Sequence, residues 1–190
     1  MKTPPPELAG RLLNVSEQVL YGDPPPRLAD VAGLVGASRA TLYYYFAGRD
    51  DLVAFLLTSH ARQGAEVVRA AVDPDDPPEA RLRTTIGTLA RFLGDRPGIC
   101  AGLLGGLAGN LQLREALDAN DTWIAGPLRD LLGDGAAAGV LTVDDVGDAA
   151  NAVLGALLLG VLGRSASGAD AADRGFQERL TEQIVRGVLR

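Results

Sequence analysis

One cation, one hydroxyl and three phenols fall within seven residues: Arg39, Thr41, Tyr43, Tyr44 and Tyr45. As surface decoration such a cluster is costly. Against phosphate oxygens and base edges it is useful, because guanidinium and hydroxyl groups donate to both. The surrounding residues say how it would be presented. Leu42 and Phe46 lie four apart, so on a helix they share an inward face and leave the polar group outside or at the rim. Ser38 is placed to cap that helix by accepting from an early backbone N–H. Gly36 allows the positive φ of a sharp turn. Val31, Ala32 and Val35 give the preceding segment an apolar side. Two short helices joined by a tight turn make a helix-turn-helix, whose second helix enters a DNA major groove.

The run from Asp30 to Leu52 resembles the DNA-binding domain of TetR-family transcriptional regulators. The family pattern is an aspartate, an aliphatic residue and alanine, two variable residues, then alanine-glycine-valine-serine, a cation, glycine, and threonine-leucine-tyrosine-tyrosine-histidine-phenylalanine. This chain has Asp30, Val31 and Ala32, then Val35, Gly36, Ala37, Ser38, Arg39, Ala40, Thr41, Leu42, Tyr43, Tyr44, Tyr45 and Phe46. Gly48, Arg49, Asp50, Asp51 and Leu52 follow where the family opens its next helix. Arg27 stands in place of a capping threonine, behind Pro24, Pro25 and Pro26, and Tyr45 replaces the histidine. The resemblance covers about a quarter of the chain. It implies that Arg39 and Ala40 approach base edges. Thr41, Tyr43 and Tyr44, with Ser38, Tyr45, Arg27 and Arg49 around them, hold the phosphate backbone. The expected partner is a double-stranded, palindromic operator.

Charge tempers this expectation. The net charge is −6 over 190 residues. Residues 1–51 carry Lys2, Arg11, Arg27, Arg39 and Arg49 against Glu7, Glu17, Asp23, Asp30, Asp50 and Asp51, a near-neutral head. Binding needs cations near phosphates rather than a basic average, so a steep salt dependence is expected. The two cations of the first segment do not suggest a basic minor-groove arm. A near-neutral head also leaves open a protein-interaction module with a degenerate helix-turn-helix.

A single cysteine, Cys100, excludes an internal disulfide framework. The first residues, MKTPPP, contain no apolar leader, and the apolar run 149–163 is short for a membrane span. A cytoplasmic protein without a membrane partner is expected. One histidine and one cysteine provide no metal cluster and no nucleophile–base arrangement, so neither an enzyme nor a cofactor is expected. The glycines near 102–109 follow no strand and lack the lysine of a phosphate loop.

Helical periodicity runs through the remainder, and the fold expected is all-α, with about nine helices. A three-helix head, residues 1–52, precedes a helical body, residues 53–190. Helices are expected over 7–20, 49–72, 79–93, 97–108, 111–138 with a bend at Pro127, 143–163 and 173–189, besides the two of the helix-turn-helix. The sequence 73–78, DPDDPP, is a break.

Small residues recur at three- and four-residue spacing along 143–163, at Ala152, Ala156, Gly160 and Gly163, and let helices approach closely. Phe176, Leu180 and Ile184 form an apolar stripe near the chain end. The resemblance implies that these two helices pair with their copies in a homodimer; a core helix within one protomer is the other reading. It also implies a pocket for a small, mostly apolar inducer in the body. His60, Leu89, Phe92, Leu103, Leu104, Leu107, Trp123, Asn151 and Leu154 are the residues that could line it. The function implied is a ligand-responsive repressor.

Overall fold

The structure, a computed structural model, describes residues 2–106 and 113–188. Within them the chain is helical and contains no strand. The head is α1 (Pro6–Asn14), α2 (Ser16–Tyr21), α3 (Leu28–Leu34) and α4 (Arg39–Tyr45). The body follows as α5 (Arg49–Ala71), α6 (Pro78–Gly94), α7 (Pro97–Gly106), α8 (Leu113–Asn120), a π-helical turn (Asp121–Ala125), α9 (Gly126–Ala137), α10 (Val146–Ala166) and α11 (Arg174–Val188). Pro6, Pro78 and Pro97 each begin a helix, where the missing N–H would have been unpaired anyway.

Two expected helices are broken, which raises the number among the described residues from nine to eleven. The first break is at Val15, where α2 restarts at the buried Ser16 and turns onto α7. The second has its cause in Pro127. Proline has no N–H for the carbonyl of residue 123 and crowds the preceding turn. The helix loosens there to π geometry, and Gly126 N–H reaches back five residues to the Asp121 carbonyl. Arg129 spans the loosened turn with two bonds to the Asp121 carboxylate, at 2.9 and 3.2 Å.

One continuous core joins head and body. Leu12, Val31, Leu42, Phe46, Leu52, Leu56, Leu82, Ile86, Leu132 and Leu157 are fully enclosed in it. α5 runs from head to body and packs on α6, α7 and α8. α10 has the 21 residues expected but begins and ends three residues later, and by length and composition alone could cross a bilayer. Here it lies on α6, α7, α9 and α11, with Ala150, Val153, Leu157 and Val161 inward.

α11 departs from its expected role. It packs on α6, where Gly87 and Gly94 leave room for Thr181 and Gln177, and on α10. Leu180 and Ile184 are therefore core residues of one protomer, not an exposed stripe. Gly160 lies beneath Leu180, whose Cδ1 would be 2.9 Å from an added Cβ. Phe176 is half-buried, with the Arg164 guanidinium 5.1 Å above its ring. Ala152, Ala156 and Gly163 are exposed on the outer face of α10, together with Leu159 at 62%. Helical spacing alone could not tell the two faces apart, since small and large apolar residues alternate all the way round α10.

Candidate nucleic-acid interface and ligand cavities

The turn between α3 and α4 forms as its residues require. Gly36 has φ 61°, and the Ser38 Oγ accepts from Thr41 N–H at 3.0 Å while meeting the Thr41 hydroxyl at 2.7 Å. Arg27 has no acceptor with which to cap α3. The other half of the capping pair takes over: Asp30 Oδ2 accepts from Arg27 N–H at 3.1 Å. Asp51 likewise accepts from Ala47 N–H at 2.8 Å. Two acids of the head are thus committed to backbone donors, which lessens their repulsion toward an approaching phosphate.

On α4, Leu42 and the following Phe46 are wholly buried, and Arg39, Ala40, Thr41, Tyr43 and Tyr44 face outward. Arg27 and Ser38 are exposed beside them. Tyr43 and Tyr44 are 55% and 60% exposed. Tyr45 is half-buried, edge-on to Tyr44 at 5.0 Å, and serves as packing more than as surface. Arg49 also differs from the expectation. Its Nη2 donates to the Val19 carbonyl at 2.7 Å and its Nε is enclosed, so the guanidinium ties α5 to the end of α2 instead of pointing outward. In exchange the first segment contributes a cation that the sequence did not suggest. Lys2 Nζ sits 3.7 Å from the Tyr44 ring centroid, beside the recognition helix. Nothing but its charge could have marked it.

Head and body are joined at a second point. The Glu17 carboxylate accepts from Gly98 N–H at the start of α7, at 2.9 and 3.2 Å. Burial raises the Glu17 pKa, opposed by the Gly98 bond and by Arg96. Gly98 and Gly102 are the glycines of α7 with a steric reason: a Cβ there would meet Glu17, or Leu20 and Leu57, at about 3 Å. Gly105 meets nothing.

Two neighbouring spaces open in the body. The inner one is a void of about 50 Å³ lined by His60, Gly64, Leu89, Phe92, Leu103, Ile124 and Leu154, among others. The outer one is a cleft of about 440 Å³ between α5, α6, the π turn and α9, lined by Val68, Arg69, Arg81, Leu89, Trp123, Ile124, Leu128 and Leu131, among others. Of the residues expected to line one pocket, His60, Leu89, Phe92, Leu103 and Leu154 surround the void. Trp123 belongs to the cleft, because the π turn rotates it outward beneath the Arg62 guanidinium, 5.4 Å from its ring. Leu104 is half-buried and lines neither space. Asn151 is exposed on α10, away from both. Leu107 lies outside the described residues.

His60 is 3% exposed. Its Nδ1 is 3.2 Å from Gln63 Oε1 and takes the donor role, leaving Nε2 enclosed without a partner. Burial lowers its pKa to about 4, against a smaller upward effect of Gln63. An unfolded histidine titrates near 6.5, so the unfolded chain takes up this proton first as pH falls. Stability from this group is complete above about pH 6.5 and is lost from there down to about pH 4, by on the order of 3 kcal/mol. We expect the chemical-denaturation stability of wild type to fall more between pH 7 and 4.5 than that of His60→Gln; parallel curves would contradict the assignment.

The buried Cys100 thiol is pushed up to about 12 by burial and by Glu17, which leaves it unreactive. No group of three or more potential metal ligands occurs among the described residues.

No family model matches the chain. Two curated relatives, uncharacterized HTH-type transcriptional regulators of Mycobacterium tuberculosis, are 33% identical over 96 residues, covering 49% of this chain and 47% of theirs. The match thus spans about half the length of these relatives. Solved structures match over nearly the whole chain. The fatty acid degradation regulator FadR from Bacillus halodurans superposes with a TM-score of 0.79 at 17% identity, covering 98% of each chain. A tetR-family regulatory protein from Rhodococcus RHA1 gives 0.76 at 18%, over 95% of this chain and 96% of its own. FadR from Bacillus subtilis, solved in complex with stearoyl-CoA, gives 0.75 at 17%, over 95% and 97%. At such identities the likeness is one of fold.

Proposed function

We propose that this chain, which has the fold of TetR-family regulators, is a DNA-binding transcriptional repressor that leaves its operator when a small molecule enters its body. The observation that carries the reading is α4. It is capped and anchored by two enclosed apolar side chains, and it offers Arg39, Ala40, Thr41, Tyr43 and Tyr44 to solvent on one side. The curated relatives carry regulator names.

In this reading residues 1–52 read DNA and residues 53–190 pair with a second copy and bind the ligand. The dimer forms through the outer face of α10, where Ala152, Ala156, Leu159 and Gly163 leave an apolar strip uncovered. The ligand, small and mostly apolar, occupies the apolar space around His60. The 50 Å³ void holds little more than water, so its walls must move to admit it. The Arg49–Val19 and Glu17–Gly98 bonds then carry the displacement into the head.

A ligand shifts this equilibrium only by its difference in affinity for the two states. The reading therefore fixes a reciprocal outcome. Any compound that releases operator DNA by a given factor is bound more weakly, by the same factor, when operator is present. Titrating ligand with and without operator, followed by Trp123 fluorescence, tests this. A compound that releases DNA while binding equally in both titrations would contradict it.

A further inference from the structure

The inner void and the outer cleft share two walls, Leu89 and Ile124. They differ in chemistry. The void is apolar apart from His60 and Asn120, whereas the cleft combines Val68, Val72, Trp123, Leu128 and Leu131 with two guanidinium groups, Arg69 and Arg81. Those cations stand out in a chain of net charge −6. Arg81 is not consumed internally: its Nη1 is 3.5 Å from Asp134 Oδ2, a loose pair, and its enclosed Nε has no acceptor. Arg69 is exposed at the rim. At about 440 Å³ the cleft has the size of a ligand site, which runs to roughly 300–1,000 Å³.

The partition has the means to move. Ile124 is carried by the π turn, a loosened piece of helix that recurs at functional sites. Gly64 lies opposite, where an added Cβ would be 3.4 Å from Ile124 Cδ1 and 3.5 Å from Phe92 Cε1. The absence of a side chain at 64 therefore keeps the space into which Ile124 can turn.

We infer that void and cleft are the two ends of one site for an elongated anionic amphiphile, its head on Arg69 and Arg81 and its tail passing Ile124 to reach the His60 chamber. The inference deepens the ligand reading above and rests on it for its consequence, not for its binding. A carboxylate head pairs with the guanidinium groups of Arg69 and Arg81 that line the cleft, in charge-assisted form. The tail buries apolar area against Trp123, Leu128 and Leu131 on its way in. Rotation of Ile124 joins the small void to the cleft.

The test uses the full chain and matched probes below their micelle concentrations: dodecanoate, dodecanol, dodecylamine and hexanoate, each titrated calorimetrically. Dodecanoate is expected to bind at least 10-fold more tightly than dodecanol, with dodecylamine weakest. Arg69→Gln with Arg81→Gln should erase that order. Ile124→Phe should lower dodecanoate affinity toward that of hexanoate and leave hexanoate unchanged. A dodecanoyl-CoA arm separates the sources of the anion: a gain over dodecanoate assigns the head to a nucleotide thioester, and a loss assigns it to a bare carboxylate. Failure of every probe to bind, equal binding of dodecanoate and dodecanol, or an arginine pair whose loss changes nothing would overturn the inference. So would an Ile124→Phe protein, folded by its melting curve, that keeps full preference for the longer chain. Operator binding by the unliganded protein is measured separately, so a protein that binds dodecanoate but no DNA would sink the regulator reading and leave this site standing.

Discussion

Leu159→Arg is expected to turn a dimer into monomers and to lower operator affinity by about 10²–10⁴-fold, the avidity that linking two half-site contacts provides. Leu159 is 62% exposed at the middle of the uncovered face of α10, beside Ala156 and Gly163. Covering a leucine gains about 1.5–3 kcal/mol, and a two-fold interface contains each side chain twice. An arginine there brings two like charges to one apolar contact. The substitution touches nothing that the protomer needs, so the melting of the isolated chain should be preserved. Gly160→Arg, which the small-residue spacing would suggest, is not equivalent. It would drive a side chain into Leu180 and unfold the α10–α11 packing. Sedimentation of both variants separates the effects: a folded monomer for Leu159→Arg, and a lowered melting temperature for Gly160→Arg. A wild-type chain that sediments as a monomer at micromolar concentration would contradict the dimer.

The second large effect is expected at α4. Arg39→Ala should cost about 1–3 kcal/mol on the preferred operator and relax the preference at one base pair, if the guanidinium pairs with a guanine edge. Tyr43→Ala and Tyr44→Ala should weaken binding to all sequences alike, as the proposed docking sets these phenols against phosphates and not base edges. Lys2→Ala should reduce the salt slope by about one, as expected for a lost phosphate cation. None of these exposed residues supports the core, so their melting temperatures should stay near wild type. Arg49→Ala should behave otherwise. Its bond to the Val19 carbonyl joins α5 to α2, so stability and affinity should fall together. Binding isotherms on one verified operator, with melting curves of the same preparations, distinguish the two classes. Wild-type affinity in Arg39→Ala and Tyr43→Ala alike would mean that α4 does not dock.

The parts of this architecture that could be read from the sequence are those in which local chemistry decides local structure. Gly36, Ser38, Leu42 and Phe46 each have one role that their type and spacing permit, and the structure gives each of them that role. Where tertiary partners decide, the sequence was ambiguous. Arg49 at a helix start suits a phosphate as well as a carbonyl, and only the approach of α2 selects the carbonyl. Leu180 and Ile184 repeat at helical spacing whether their partner is α6 or a second chain. Trp123 could line the same pocket as His60 on its residue type alone, but the π turn before Pro127 sets it in the cleft instead. The break at Val15 has no such marker in the residues around it. Asp30 was visible as part of the family pattern, but its use as the cap that Arg27 cannot provide follows from geometry.

The central claim, that this chain reads DNA through α4 as a dimer, is tested most directly by footprinting the wild-type protein on the DNA upstream of its own coding sequence, beside a scrambled copy. The account predicts two symmetric protected half-sites with centres about one helical turn, roughly 34–36 Å, or a multiple apart. Protection should fade steeply between about 50 and 200 mM salt and disappear with Leu159→Arg. Equal protection of the scrambled DNA, or none of the upstream DNA at the lowest salt, would contradict it.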